Sequence, residues 1–311
     1  MFRFLILFLS LALPAKTWAE ALPKESKIIR VLTYGSMTRK GAWGEFLAAE
    51  FARAHPGSDI QFITTDENAG LLGRLRADHR RRAKLRYDVV LGLENNQYHA
   101  ALSEGLVTSG KVFDRSPFSI IADTQKFPAS RWPRKWSELK LRMPHQLLIP
   151  DPRLSGPGAG LLRVVFQFQW ISLADLRATV ANVFPSWSAA YGAFSQGRGL
   201  AVWSFLSSVA YHRCAEKSDR YQAIPLAEGY PVHEEWVAGV ARKSASAEQF
   251  MTFVLSEPIQ QKLPEMNWMY PVSDKVALPN CFPKMNSIKG VSNPMEPTGA
   301  EMQKWLDTWS L

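Results

Sequence analysis

The feature that most constrains this chain is an alternation of two hydrophobic periods between residues 27 and 105. KIIRVLTYG (27–35) is an apolar, β-branched run ended by glycine, the pattern of a strand. AWGEFLAAEFARAHPG follows, with Trp43, Phe46, Leu47, Phe51 and Ala54 on one helical face and Pro-Gly stopping it. SDIQFITT, AGLLGRLRADHRR, YDVVLGL and NNQYHAALSEG then repeat strand and helix twice more. Short connections of this kind predict right-handed crossovers and a parallel sheet. The strand ends bring the loops 34–37, 65–69 and 93–96 to one edge, outside which open α/β sheets bind ligands.

From about residue 105 the pattern breaks. SGKVFDRSPFSIIAD and KFPASRWPRKWSEL are rich in Pro and Arg, with a short strand in FSIIA and a short helix around Trp136 to Leu139. HQLLIPDP reads as a strand, GPGAGLLRVVFQFQW as a long helix, LADLRATVANV as a second and 187–196 as a third. GLAVW is a strand and SSVAYHRCAEK a fourth helix; EGYPVHEEWVAGVAR returns to strand and SAEQFMTFVLSEPIQQKL to helices. The expected class is α/β in two lobes, 27–112 with 226–311 as one and 113–225 as the other. Ligand clefts favour the seam between such lobes.

The N-terminus bears on the compartment. Met1-Phe2-Arg3 followed by FLILFLSLALP, with small residues around Thr17, Trp18 and Ala19, reads as a secretory signal peptide cleaved after Ala19 or Ala21. Its apolar run falls short of the ~20 residues a membrane span needs. The formal charge of +9 drops to +7 once Arg3 and Lys16 leave with it. Much of the remainder lies in RLRADHRRRAKLR (74–86), which in an exported protein reads as a solvated helix face and not as a nucleic-acid site. The two cysteines, Cys214 and Cys281, share an oxidising compartment, but sequence gives no distance between them, so their pairing stays open.

Several stretches bear on chemistry. DPRLSGPGAGLL (151–162) sets Ser155, Gly156, Gly158 and Gly160 at a strand-to-helix turn, where free N–H groups take an anion or merely start the helix. It is neither G-x-G-x-x-G nor a P-loop. Glu67, at the mouth of the second strand, either faces a cationic ligand or caps the next helix. Trp268 in NWMYPV has the setting of a buried core residue. The six histidines form no metal spacing, there is no G-x-S-x-G, and His212 and Cys214 point to different faces of one helix. No catalytic, cofactor or metal signature stands out.

The motifs VLTYGSM, LLGRLRAD, YDVVLGLENN, IPDPRLSGPGAGLL, PSWSAAYGAF, SSVAYH and NWMYPV occur in an order that identifies a family. The chain resembles the periplasmic thiamine-binding proteins of ABC transporters, within the type II solute-binding proteins. That resemblance implies a ligand held between two lobes by aromatic side chains and one carboxylate. Carried over by motif, Tyr34, Trp187, Tyr211 and Trp268 form the aromatic cage. Glu67 stands where the family usually has Asp, and Phe205 where it usually has Tyr, which removes one hydroxyl. Ser155 and Gly156 would face the phosphate of a thiamine phosphate. The aromatic crossover strand usual in relatives is poorly matched by VFDRSPFSIIAD. The implied partners are the small ligand and an inner-membrane permease and ATPase complex, with the protein a monomer.

The resemblance also answers a question of composition. Within 184–212, Trp187 and Tyr211 are expected to face the cleft, and Phe184, Phe194 and Trp203 to pack the second lobe. Thiamine's thiazolium suits such a cage, since aromatic faces attract a cation by roughly 0.5–2 kcal/mol each. The alternatives are another cationic or phosphorylated solute, such as a polyamine, ferric ion or other heteroaromatic, and a thiaminase-like enzyme using Cys214. Ferric ion is disfavoured by the lack of a Tyr-Tyr pair.

Overall fold

Consecutive residues of a strand face opposite sides of its sheet, and in this protein each side has its own apolar core. The computed structural model describes residues 27–81, 87–240, 244–292 and 296–310. The signal peptide, the end of the basic run 74–86 and the last residues of the 228–242 strand lie outside them. The first half follows the alternation: β1 (Lys27–Tyr34), α1 (Trp43–Ala54), β2 (Ser58–Thr65), α2 (Gly70–Arg80), β3 (Val89–Glu94) and α3 (Asn95–Ser103). β1 pairs parallel with both β2 and β3. Ile29 and Val31 join Trp43, Phe51 and Phe250 on one side, while Leu32 joins Leu71, Val90 and Tyr98 on the other.

β4 (Lys111–Asp123) departs from the sequence reading, which placed only a short strand at FSIIA. Its first part pairs antiparallel with β9 (Tyr230–Gly239), and its second part, from Phe118 to Ala122, with β7 (Ala201–Phe205). Pro117 sits inside the strand, and the carbonyl on the β7 side accepts from Leu206 N, so the missing N–H breaks no continuity. One strand thus runs from the first pair of cores into the second.

The rest of the chain builds around that crossing. α4 (Leu139–Arg142) precedes β5 (Leu147–Pro150), α5 (Gly156–Phe166), α6 (Leu173–Thr179), β6 (Val180–Phe184), α7 (Trp187–Ser195), β7, α8 (Ser208–Cys214) and β8 (Tyr221–Ala223). The helix expected through LADLRATVANV ends at Thr179, because VANVF pairs parallel with β5. After β9 come α9 (Ala245–Val254), α10 (Glu257–Gln260), α11 (Leu263–Met266), β10 (Tyr270–Pro271), β11 (Gly290–Val291) and α12 (Gly299–Ser310). The strand order is β2-β1-β3-β9-β4-β7-β5-β6.

Two further cores flank the second half of this sheet. Ile120, Ile149, Leu161 and Trp203 lie on one side; Ile121, Leu148, Phe194 and Val202 lie on the other. Phe184 packs against the latter, so these three aromatics fill the interior as expected. Phe282, Ile288 and Trp309 from the end of the chain also pack on the core that contains Trp203.

Candidate functional site

The C-terminal ends of β1 and β3 meet the crossing strand β9, and polar side chains converge there. Tyr34 ends β1, and its hydroxyl donates to Glu235 Oε2 at 2.8 Å. Its ring lies across Gly92, where any side chain would overlap it and where φ is +103°, so glycine is needed on two counts. Burial and the neighbouring carboxylates push the Tyr34 phenol well above its ordinary range. It stays a neutral donor.

Glu94 closes β3 and caps α3, joined there by the reciprocal side chain of Gln97. Its carboxylate accepts from Asn68 Nδ2 at 2.6 Å, and the residue is 4% exposed. Burial pushes Glu94 up to about 7, against the opposing pull of His233. His233 Nε2 stands 3.8 Å from Glu235 Oε1. Burial alone would lower that imidazole, but Glu235 and Glu94 outweigh it and raise it. Asp114, on β4, accepts from Asn267 Nδ2 at 2.8 Å; burial and the charge of Glu235 hold it well above the carboxylate range. Three buried carboxyl groups therefore share one region with one histidine.

The second half of the sheet supplies the facing wall. Ser155 is the extended N-cap residue of α5, and Pro157 occupies the first turn, where a missing N–H costs nothing. Gly156 lies directly against the Glu94 carboxylate, so the helix N-terminus expected to face an anion meets one from the protein itself. Ser186 N-caps α7 through Ala189 N and so places Trp187 at its first position. The Trp187 indole donates to Ser204 Oγ at 2.8 Å and approaches Phe205 at 6.1 Å between ring centroids. Phe205 also contacts His233 at 5.0 Å, which joins this aromatic group to the carboxylates.

Tyr211, on α8, meets Trp268 edge-on, with ring centroids 5.4 Å apart and planes at 85°. Tyr211 is 44% exposed. Trp268 has φ +54°, a left-handed conformation that costs a non-glycine residue on the order of 1–3 kcal/mol. It is half-buried, not the core residue its setting suggested. Asn267 on Asp114 and Met269, whose sulfur accepts from Ser207 Oγ at 3.5 Å, hold it from both sides. A Cys214–Cys281 disulfide ties α8 to the segment beyond Trp268. Cys214 therefore has no thiol to offer as a nucleophile. The next turn is fixed by His212, whose Nε2 meets Tyr191 Oη at 2.9 Å and whose Nδ1 meets Glu216 at 2.6 Å.

Glu67 is half-buried beside this region. Its carbonyl accepts from Thr65 Oγ1, and burial raises its carboxyl against the pull of Arg39. It does not cap α2 through its side chain. The structure thus links Tyr34, Gly156, Trp187 and Phe205 through Glu94, His233 and Glu235, and pairs Tyr211 with Trp268. Sequence reasoning missed Glu94, Asp114, His233 and Glu235. The visible signal was polar residues inside apolar strands, at the end of VVLGLE and within YPVHEEWV.

This architecture has counterparts. The model of the bacterial extracellular solute-binding protein family matches residues 29–265. The chain belongs to that family. It is 33% identical to the thiamine-binding periplasmic protein of Salmonella typhimurium, over 91% of this chain and 92% of the relative. Against the protein of that name from Escherichia coli it is 30% identical, with the same coverage. Among solved structures, a periplasmic thiamin binding protein superposes with a TM-score of 0.77 at 28% identity, over 91% of this chain and 95% of that one. A periplasmic binding protein from Actinobacillus pleuropneumoniae, with fructose-6-phosphate bound, gives 0.74 at 14% identity and so attests the fold alone. The fold is the two-lobed, mixed α/β fold of periplasmic binding proteins. The protein is a non-enzymatic solute-binding component of ABC transport, placed in the periplasm, whose partners are a small-molecule ligand and a permease.

Proposed function

We propose that the protein captures thiamine, and with it thiamine phosphates, between its lobes for delivery to the permease. The observation that carries this reading is the pairing of aromatic faces with buried carboxyl groups at one seam, in a chain whose relatives are named for thiamine. In this reading the lobes are 27–112 with 226–311, and 113–225. Tyr34, Trp187, Phe205, Tyr211 and Trp268 form the cage, Glu67 supplies a counter-charge, and Ser155 and Gly156 face the phosphate end. Cation–π attraction of roughly 0.5–2 kcal/mol per ring and one charge-assisted hydrogen bond suffice for tight capture.

The test is calorimetric titration of the mature protein with thiamine. One saturable site with sub-millimolar affinity is expected, and it should weaken in Trp187→Ala. Absence of binding, with choline or spermidine binding instead, would replace thiamine by another cation.

A further inference from the structure

The two faces of β9 differ. His233, Glu235 and Val237 are buried on the side of the carboxylates, whereas Val232, Glu234 and Trp236 are half-buried on the other. A cavity of about 800 Å³ opens on that second row, with α3 on one wall and α12 on the other. Cavities that hold small ligands span about 300–1,000 Å³.

α12 has an unusual burial pattern: none of its residues is buried. Trp305 stacks on Phe166 at 5.7 Å, and Trp309 lies under Arg177 at 5.8 Å. Met302 and Leu306, one turn apart, are left to line the cavity. Opposite them, Trp236 is backed by Tyr98 in a near-parallel stack, 4.0 Å between centroids and 6° between planes.

Charge decides what such a space takes. Glu234 lines the cavity, held by a two-way pairing in which Asn95 Nδ2 donates to its carboxylate and its own backbone N donates to Asn95 Oδ1. Among the described residues it has no ion-pair partner. Arg76, the cationic side chain on the wall, is bound to Glu104, and Glu296 is neutralised by Arg163. His99 is held below its ordinary value by burial and by Arg163, so it adds little positive charge at neutral pH.

We infer that this cavity is a second ligand site, separate from the interlobe cleft, that takes a small aromatic cation. The ring lies between Trp236 and the Met302–Leu306 face, and the cation meets Glu234.

Tyramine is a suitable probe, with 4-hydroxyphenylacetate as its anionic counterpart of similar size. Titrating both into the full mature protein, we expect tyramine to saturate and the anion to bind at least roughly tenfold more weakly, since one charge-assisted contact becomes a repulsion. Glu234→Gln, which keeps the acceptor for Asn95, should weaken tyramine by about fivefold or more, and Met302→Arg, on the half-exposed helix, should abolish its binding. Trp187→Ala, in the cleft, should leave it unchanged. The inference is overturned if tyramine fails to saturate, if both ligands bind alike, if Glu234→Gln and Met302→Arg have no effect, or if Trp187→Ala removes the binding.

Discussion

Gly156 opens α5 with its Cα against the carboxylate of Glu94, so close that a side chain there would overlap both carboxylate oxygens. Glu94 ends a strand of the first half of the sheet, and Gly156 starts a helix of the second. Their contact is therefore a direct measure of how near the two halves come. Gly156→Ala should hold them apart and weaken thiamine by about tenfold, or ~1.4 kcal/mol. Small-angle scattering should show a more expanded particle with ligand than wild type gives. Unchanged affinity and dimensions would mean that this contact does not limit closure.

The same contact bears on phosphate. A phosphate at the α5 N-terminus must displace or share space with the Glu94 carboxylate, and like charges at that distance repel. Glu94→Gln should improve thiamine monophosphate relative to thiamine by at least three- to tenfold, since such a charge pair is worth about 1 kcal/mol even in bulk water. Parallel titrations of both ligands check this. An equal change for the two would remove Ser155 and Gly156 from phosphate recognition.

Glu94 and His233 also give the protein a pH dependence. Glu94 is raised from 4.5 to about 7, and His233 is raised above 6.5. A group raised on folding contributes stability below its unfolded value and loses it as pH rises through the folded one, so both act in the same direction. The melting temperature should fall from pH 6 to pH 8. Glu94→Gln, which cannot ionise, should flatten that fall and gain most at pH 8. A wild-type profile level across this range would contradict the assignment.

The cage predicts an order of effects. Trp187→Ala and Tyr211→Ala should each cost about 1–3 kcal/mol of thiamine binding. Phe205→Tyr restores a hydroxyl beside His233 and should leave affinity within a few fold, since the ring contacts persist. Titrations with circular dichroism as the folding control decide it. Intact folds with unaltered affinity in both alanine variants would remove these two residues from the site.

The disulfide spans 67 residues of chain. Loop closure of that length removes about 4 kcal/mol of unfolded-state entropy. Cys214→Ser with Cys281→Ser should therefore lower stability by several kcal/mol in urea unfolding. It should also weaken thiamine by more than Phe205→Tyr does, because it frees the helix that sets Tyr211 against Trp268. Lost stability with unchanged affinity would make the bridge purely structural.

What the sequence determined by itself is local. Two hydrophobic periods laid out β1 through α3, because a strand or helix of ordinary length betrays its buried face in its own residues. The Ser155–Gly160 turn likewise marked the start of α5, since the chemistry of a helix start belongs to a few adjacent residues. Tertiary structure decided what depends on distant partners. VANVF became β6 because β5 was beside it, and the Pro-containing run 111–123 became one strand because β9 and β7 pair its two ends in succession. The left-handed backbone of Trp268 has no signature in NWMYPV; Asp114 and Ser207, remote in sequence, hold its neighbours. Glu94, Asp114, His233 and Glu235 could each be read only as polar residues out of place. Their common burial, and with it the raised proton affinity of Glu94, Asp114 and His233, exists only once β3, β4 and β9 lie side by side.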